Sequence, residues 1–257
     1  MVIGFIGTGV ISEAMIHGLC NAASYVDPIL ISMRSADRSA RLAVRYPNVE
    51  VIGTNQDLVN RSDWVFVGVL PSQMSEVLEP LEFRATQKII SLAAGVSLKS
   101  LHSLVAPCEQ VTRAIPMPPI EFGSGPIALC PFDTEVEAFC NQIGVAVSVE
   151  DEQQFNLFGA ASALMSDFFS QIATTSAWMS THGLETQLAA RYTTALYTAL
   201  AAQTARESSE ALPQMSESCE TPGGLNQEFR RLREERGASQ SLREGLDRIL
   251  ARLESAS

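Results

Sequence analysis

Apolar residues fall in short unbroken runs over the first half of the chain and at helical intervals over the second. Val2–Ile6, Ile29–Ser32, "VEVIG", "WVFVGV" at Trp64–Val69, Lys88–Leu92, Val111–Ile115, Pro126–Leu129 and Val145–Val149 each predict a strand. A continuous β-branched and aromatic run such as Trp64–Val69 is what a strand covered on both faces requires. Helical patterns lie between most of these runs. The first, Ile11–Cys20, places Ile11, Met15, Ile16 and Leu19 on one face. Strands alternating with helices imply right-handed crossovers and a mostly parallel sheet, so residues 1–150 are expected to form a doubly wound α/β domain.

From Asp151 onward no period-two run is apparent. Leu157, Phe158, Ala161, Leu164, Met165, Phe168 and Ile172 recur at helical spacing. Further helices are predicted near Glu185–Ala205 and Asn226–Glu235, and a last one carries Leu242, Leu246, Ile249, Leu250 and Leu253. Residues 151–257 are therefore expected to be an all-helical domain. The "REER" run reads as a solvated face. The apolar region Leu157–Leu184 is broken by Asp167, Gln171 and His182, which argues against a membrane span.

Composition narrows the function. Hydrophobic residues make up 46% and charged residues 18% of the 257, which is the balance of a core-forming chain. The net charge of −11 disfavours a non-specific grip on nucleic acid or on an anionic membrane. Five scattered cysteines without CxxC spacing read as free thiols, and no signal peptide is visible, so a cytoplasmic protein is expected. His17, His102 and His182 stand alone, and no metal cluster, Ser/His/Asp arrangement or P-loop is present, so no metal is expected.

The first strand runs directly into "GTGVIS" and then a helix. A helix that starts straight from a strand presents free N–H groups, a ready anion site. Gly7 permits the tight turn, Gly9 lets phosphates approach the main chain, and Ser12 is the small third residue of a G-x-G-x-x-G pattern. The alternative is a merely tight structural turn. The second strand ends in "ISMRSADRS", with no Asp or Glu to meet a ribose 2′-hydroxyl. Arg34, Ser35 and Arg38 can instead reach a 2′-phosphate, so NADP(H) is the cofactor expected; a plain capped helix start is the alternative. "VLPSQ" and "AAGVS" follow the fourth and fifth strands on the same rim. The cofactor residues expected are Gly7, Thr8, Gly9, Val10, Ile11, Arg34, Ser35, Val69, Leu70, Pro71, Ala93 and Ala94.

The order of these motifs resembles the pyrroline-5-carboxylate reductase family. "IGFIGTGVISEAMIHGL" resembles its nucleotide motif, "SDWVFVGVLPSQ" its strand ending in Lys-Pro-Gln, and "SLAAGVSLKSL" the turn after it. "VTRAIPMPP" resembles its Arg-Ala-Met-Pro-Asn segment, and "ETPGGLNQEFRRLREERG" its Ser-Pro-Gly-Gly-Thr-Thr signature. The resemblance implies a Rossmann domain followed by a helical dimerisation domain. It further implies reduction of the C=N bond of a cyclic imino acid to give proline, with a nicotinamide cofactor.

The chain departs from that pattern on the substrate side. Leu70 replaces the family's Lys, Ser72 is inserted before Gln73, and Met117 replaces its Asn. "SALM" at Ser162–Met165 replaces a Gly-Ser-Gly-Pro helix opening, and Asn226 stands where the second Thr of the signature falls. A Pro-Gly-Gly turn bares N–H groups before a helix, so Thr221, Gly223, Gly224 and Asn226 are the substrate-binding candidates, with Thr221 and Asn226 the nearest to catalytic roles. An ordinary connecting turn is the other reading. An iminium substrate arrives protonated, so no general acid is named. Three functions stay open: this imine reduction, reduction of a different imine or carbonyl acid on the same plan, and a catalytically silent NADP-binding relative. Expected partners are a small imino or keto acid and a second copy of the chain.

Overall fold

The computed structural model describes residues 1–255. The chain divides into two compact units, one made of residues 1–160 and 250–255, the other of Ala161–Ile249. The first unit runs β1 (Ile3–Ile6), α1 (Val10–Asn21), β2 (Ile29–Ser32), α2 (Ala36–Arg45), β3 (Val49–Ile52), α3 (Asn55–Arg61), β4 (Trp64–Val67) and α4 (Met74–Leu78). It continues with β5 (Lys88–Ser91), α5 (Leu98–Leu104), β6 (Gln110–Pro116), β7 (Pro126–Cys130), α6 (Thr134–Cys140), β8 (Val145–Ser148) and α7 (Glu152–Ser162). Then follow α8 (Leu164–Thr181), α9 (Thr186–Thr204), α10 (Leu212–Ser218), α11 (Leu225–Glu235) and α12 (Ala238–Glu254).

The eight strands form one sheet in the order β3-β2-β1-β4-β5-β6-β7-β8, parallel except for the β6–β7 pair. Alternate residues of each central strand feed two separate cores. Ile3, Phe5, Ile29, Ile31, Trp64, Phe66 and Ile90 pack on one face, and Ile6, Leu30, Val65, Val67 and Ile89 on the other. Both faces are covered, which is why these strands are apolar throughout instead of alternating. Phe5 and Phe66 stack across the β1–β4 pair with ring centroids 4.8 Å apart.

The units meet the chain at a different residue from the expected 150/151. The division falls inside α7, after Ala160, because Phe155 on that helix is buried against Ala128 and Cys130 of β7. Two elements were not anticipated: a 3-10 turn at Pro118–Phe122, packed on α1, and α10. The helical run expected across Leu157–Ile172 is two helices, α7 and α8, separated at Ala163. No helix among the described residues is long and apolar enough to cross a membrane.

Candidate functional site

At β1 and β4 the sheet order reverses, and such a switch point leaves a crevice beyond the carboxyl ends of the strands. A cleft of about 490 Å³ opens there. Its walls are Gly7, Thr8, Gly9, Val10, Ile11 and Ser12 after β1, and Arg34 and Ser35 after β2. Gly68, Val69, Leu70, Pro71 and Gln73 follow β4, and Leu92, Ala93 and Ala94 follow β5. All twelve residues assigned to the cofactor from sequence are brought together in this one cleft. Ser12, Gly68, Gln73 and Leu92 complete the lining, and of these Gly68 and Leu92 were not singled out in the sequence. Both close a strand at the same level as Gly7, which register with β1 would have exposed.

The turn after β1 is built to admit an anion. Gly7 has φ +90°, and a Cβ there would lie 2.7 Å from the Gly68 carbonyl oxygen, so no side chain fits. Gly9 caps α1 without a side-chain hydrogen bond, and the first helical bond runs from the Glu13 N–H to its carbonyl. The N–H groups of Val10, Ile11 and Ser12 are therefore free of intrahelical acceptors. The Ser12 hydroxyl is buried without a hydrogen-bond partner, and a Cβ on Gly68 would come within 2.3 Å of it. An orphaned hydroxyl and three free N–H groups at one bare helix start fit the pyrophosphate of a dinucleotide.

Beneath the turn lies a buried set of hydroxyls. The Gly7 N–H donates to Ser32 Oγ at 2.9 Å, Thr8 Oγ1 and Ser39 Oγ are 2.9 Å apart, and Ser39 Oγ donates to the Ser32 carbonyl. Ser32, the last residue of β2, thus anchors the turn from below. Arg34 is exposed at the mouth of the cleft beside Ser35. Arg38 is not part of the wall. Its Nη1 donates to the Thr8 carbonyl at 2.8 Å, and its Nε lies 2.8 Å from Glu13 Oε2. Sequence alone could not separate the two arginines, because only the fold puts Glu13 beside one of them.

The β5 rim is tied down from α7. Glu152 Oε1 accepts from the Leu98 N–H at 2.8 Å and from Arg113 Nη1 at 2.6 Å. Arg113 is 1% exposed and stacks over the Phe155 ring at 4.6 Å. A buried guanidinium paired in this way fixes its neighbours, since loss of either partner leaves a charge without compensation.

In the second unit, the turn before α11 carries the substrate-binding candidates. Gly223 has φ +71°, its N–H donates to Gln227 Oε1 at 3.0 Å, and the Gly224 N–H donates to the Thr221 carbonyl at 2.8 Å. Gly224 caps α11 with no side-chain hydrogen bond, which leaves that helix start bare. Asn226 Nδ2 donates to the Cys219 carbonyl at 2.9 Å, so one amide hydrogen braces the turn and one remains. Arg230 grips the Glu220 carboxylate through Nε and Nη2, and this hydrogen bonding holds the carboxyl below its usual range. The "SALM" residues Ala163 and Leu164 line an apolar groove of about 890 Å³ with Phe168, Leu242, Leu246 and Ile249.

Residues 2–95 match the family model described as NADP oxidoreductase, coenzyme F420-dependent. The chain is 29% identical over 222 residues to the pyrroline-5-carboxylate reductase of Pseudomonas aeruginosa, covering 82% of this chain and 80% of that one. It is 27% identical to the Haemophilus influenzae enzyme, over 65% of this chain and 64% of the relative, so less than two thirds of that protein's length is matched. The Plasmodium falciparum pyrroline carboxylate reductase, solved with NADP bound, has the same fold with a TM-score of 0.85 at 16% identity, covering 100% of this chain and 98% of that one. The chain is similar to pyrroline-5-carboxylate reductases along most of its length. It shares the fold of the solved pyrroline-5-carboxylate reductases.

Proposed function

We propose that this protein is an NADP(H)-dependent oxidoreductase that reduces the C=N bond of a cyclic imino acid, pyrroline-5-carboxylate or a related substrate. The observation that carries this reading is the cleft at the β1/β4 switch point: a bare helix start, an orphaned Ser12 hydroxyl, and Arg34 with Ser35 where an acidic residue would sit. NADP(H), when bound, supplies the hydride. The chain's own part is to hold and orient. Val10, Ile11 and Ser12 receive the pyrophosphate on their N–H groups, and Arg34 and Ser35 receive the 2′-phosphate. Gly223 and Gly224 spend their N–H groups on Gln227 and the Thr221 carbonyl and so shape the turn, while the Thr221 hydroxyl, the second Asn226 amide hydrogen and the free N–H groups at the start of α11 are the donors for a substrate carboxylate. A protonated imine needs no proton from a side chain at the moment of reduction.

A second reading, a different imine or carbonyl acid as the preferred substrate, is favoured by one observation. The Asn226 amide is committed to the Cys219 carbonyl, so it meets a carboxylate with a longer, partly engaged side chain in place of a hydroxyl. A one-ångström displacement at such a site costs on the order of a hundredfold in rate. The helical unit leaves Phe169, Trp178 and Tyr192 exposed, which supports a homodimer formed through it, and the protein is taken to work in the cytoplasm. The test is NADPH oxidation with a panel of cyclic imines. A kcat/KM for pyrroline-5-carboxylate of roughly 10⁴ M⁻¹s⁻¹ or above supports the first reading, and a better turnover of another imine the second. No substrate-dependent oxidation with any of them would overturn both.

A further inference from the structure

Glu13 lies in the first turn of α1, directly behind the free N–H groups that face the cleft. A carboxylate there favours the helix but opposes any second anion at the same end. Two arginines and an imidazole surround it. Arg38 Nε is 2.8 Å from Glu13 Oε2, Arg41 Nη2 is 3.8 Å from Oε1, and His17 Nε2 is 4.0 Å from Oε1. The Arg38 Nε–H is not aimed along its contact, which is therefore one of charge, whereas Nη1 makes a true hydrogen bond to the Thr8 carbonyl at 2.8 Å. Arg41 is two-thirds exposed and far weaker in effect. Arg38 alone both neutralises Glu13 and grips the glycine turn.

We propose that Arg38 is a positioning residue for the dinucleotide: it cancels the Glu13 charge and pins the Thr8 carbonyl, so that the start of α1 accepts a pyrophosphate. Discrimination of the 2′-phosphate is left to Arg34 and Ser35, although Arg38 is only four residues further on. The inference rests on the dinucleotide reading given above.

The test titrates NADPH and NADH separately into the full chain and its variants. Arg38→Gln weakens both by the same factor, about tenfold or more, the scale of a lost charge-assisted bond. The ratio of the two affinities stays as in the parent, and kcat at saturating cofactor is kept. Adding Glu13→Gln to Arg38→Gln restores most of the binding, a recovery that simple loss of folding would not give. Arg38→Lys, which keeps the charge but not the fork to Thr8, falls between. Weakening of NADPH alone in Arg38→Gln would overturn the proposal, because Arg38 would then touch the 2′-phosphate. Failure of Glu13→Gln to rescue would overturn it as well. A parent chain that binds neither dinucleotide would overturn the underlying cofactor reading, an outcome the variants cannot mimic.

Discussion

The sheet unit and the helical unit solve the burial problem differently. In the first, Ile3, Phe5, Ile16, Leu19, Ile29, Phe66 and Ile90 are all fully buried, and helices close both faces of the sheet. Between Ala161 and Ile249 only Ala189 and Thr193 are buried, while Phe169, Trp178, Tyr192 and Phe229 are each more than half exposed. α8, α10, α11 and α12 contain no buried residue in the second unit. A sheet with helices on both faces completes its own core. Helices that carry large aromatics on open faces need a further surface to cover them.

The largest expected effect breaks this contrast on the helical side. Phe169→Asp combined with Trp178→Asp should abolish self-association, a loss of at least about 5 kcal/mol if both side chains are buried between copies. Light scattering at micromolar concentration checks it. A parent chain that runs as a monomer would remove the argument altogether.

On the sheet side, Phe66→Ala removes one ring of the stacked Phe5–Phe66 pair from a fully buried core. It should cost about 3–5 kcal/mol in urea unfolding while the oligomeric state stays that of the parent. If this variant dissociates instead, the two units are less independent in their stabilities than their burial implies.

The same contrast governs what could be read in the sequence. Strands such as Trp64–Val67 were legible because burial on both faces leaves an unbroken apolar run, and Gly7 because its positive φ and its closeness to the Gly68 carbonyl admit no side chain at that turn. The break at Ala163 was not, since Ala, Ser and Leu are good enough helix formers on either side of it. α10 and the Pro118–Phe122 turn were missed because each is short and held by context. The roles of Arg38 and Asn226 were hidden for another reason. Their partners, Glu13 and the Thr8 carbonyl in one case and the Cys219 carbonyl in the other, are distant or non-periodic in sequence, and only the folded chain supplies them.

A smaller effect sharpens the reading of the cofactor cleft. Arg34→Asp should erase or reverse the preference for NADPH over NADH, a change of about 1–2 kcal/mol for a charge-assisted hydrogen bond exposed at the cleft mouth. Equal affinity of the parent chain for the two cofactors would show that Arg34 does not discriminate.

The smallest effect concerns the histidines of the two units. His17 is part-buried in the sheet unit, with Nδ1 2.7 Å from the Tyr46 hydroxyl, whereas His182 is exposed on the helical unit with Nδ1 2.8 Å from the Trp178 carbonyl. Burial lowers the His17 pKa below its ordinary value, and Arg45 lowers it further, against an upward pull from Glu13. Between the ordinary and the lowered value the unfolded chain binds more protons than the folded one, so stability must fall as pH falls through that window. At higher pH both states are neutral at this residue and the contribution is complete. The melting temperature should therefore drop between about pH 7.5 and about pH 5.5, the two sides of an ordinary histidine titration. His17→Gln should remove part of that drop, with His182→Gln as the control from the other unit. Carboxylates weaken the fold over the more acidic range in every variant, so the informative quantity is the difference between His17→Gln and the parent. An identical pH dependence in the two would mean that the His17–Tyr46 contact tolerates protonation, and that the sheet unit's tight burial does not extend to this edge of α1.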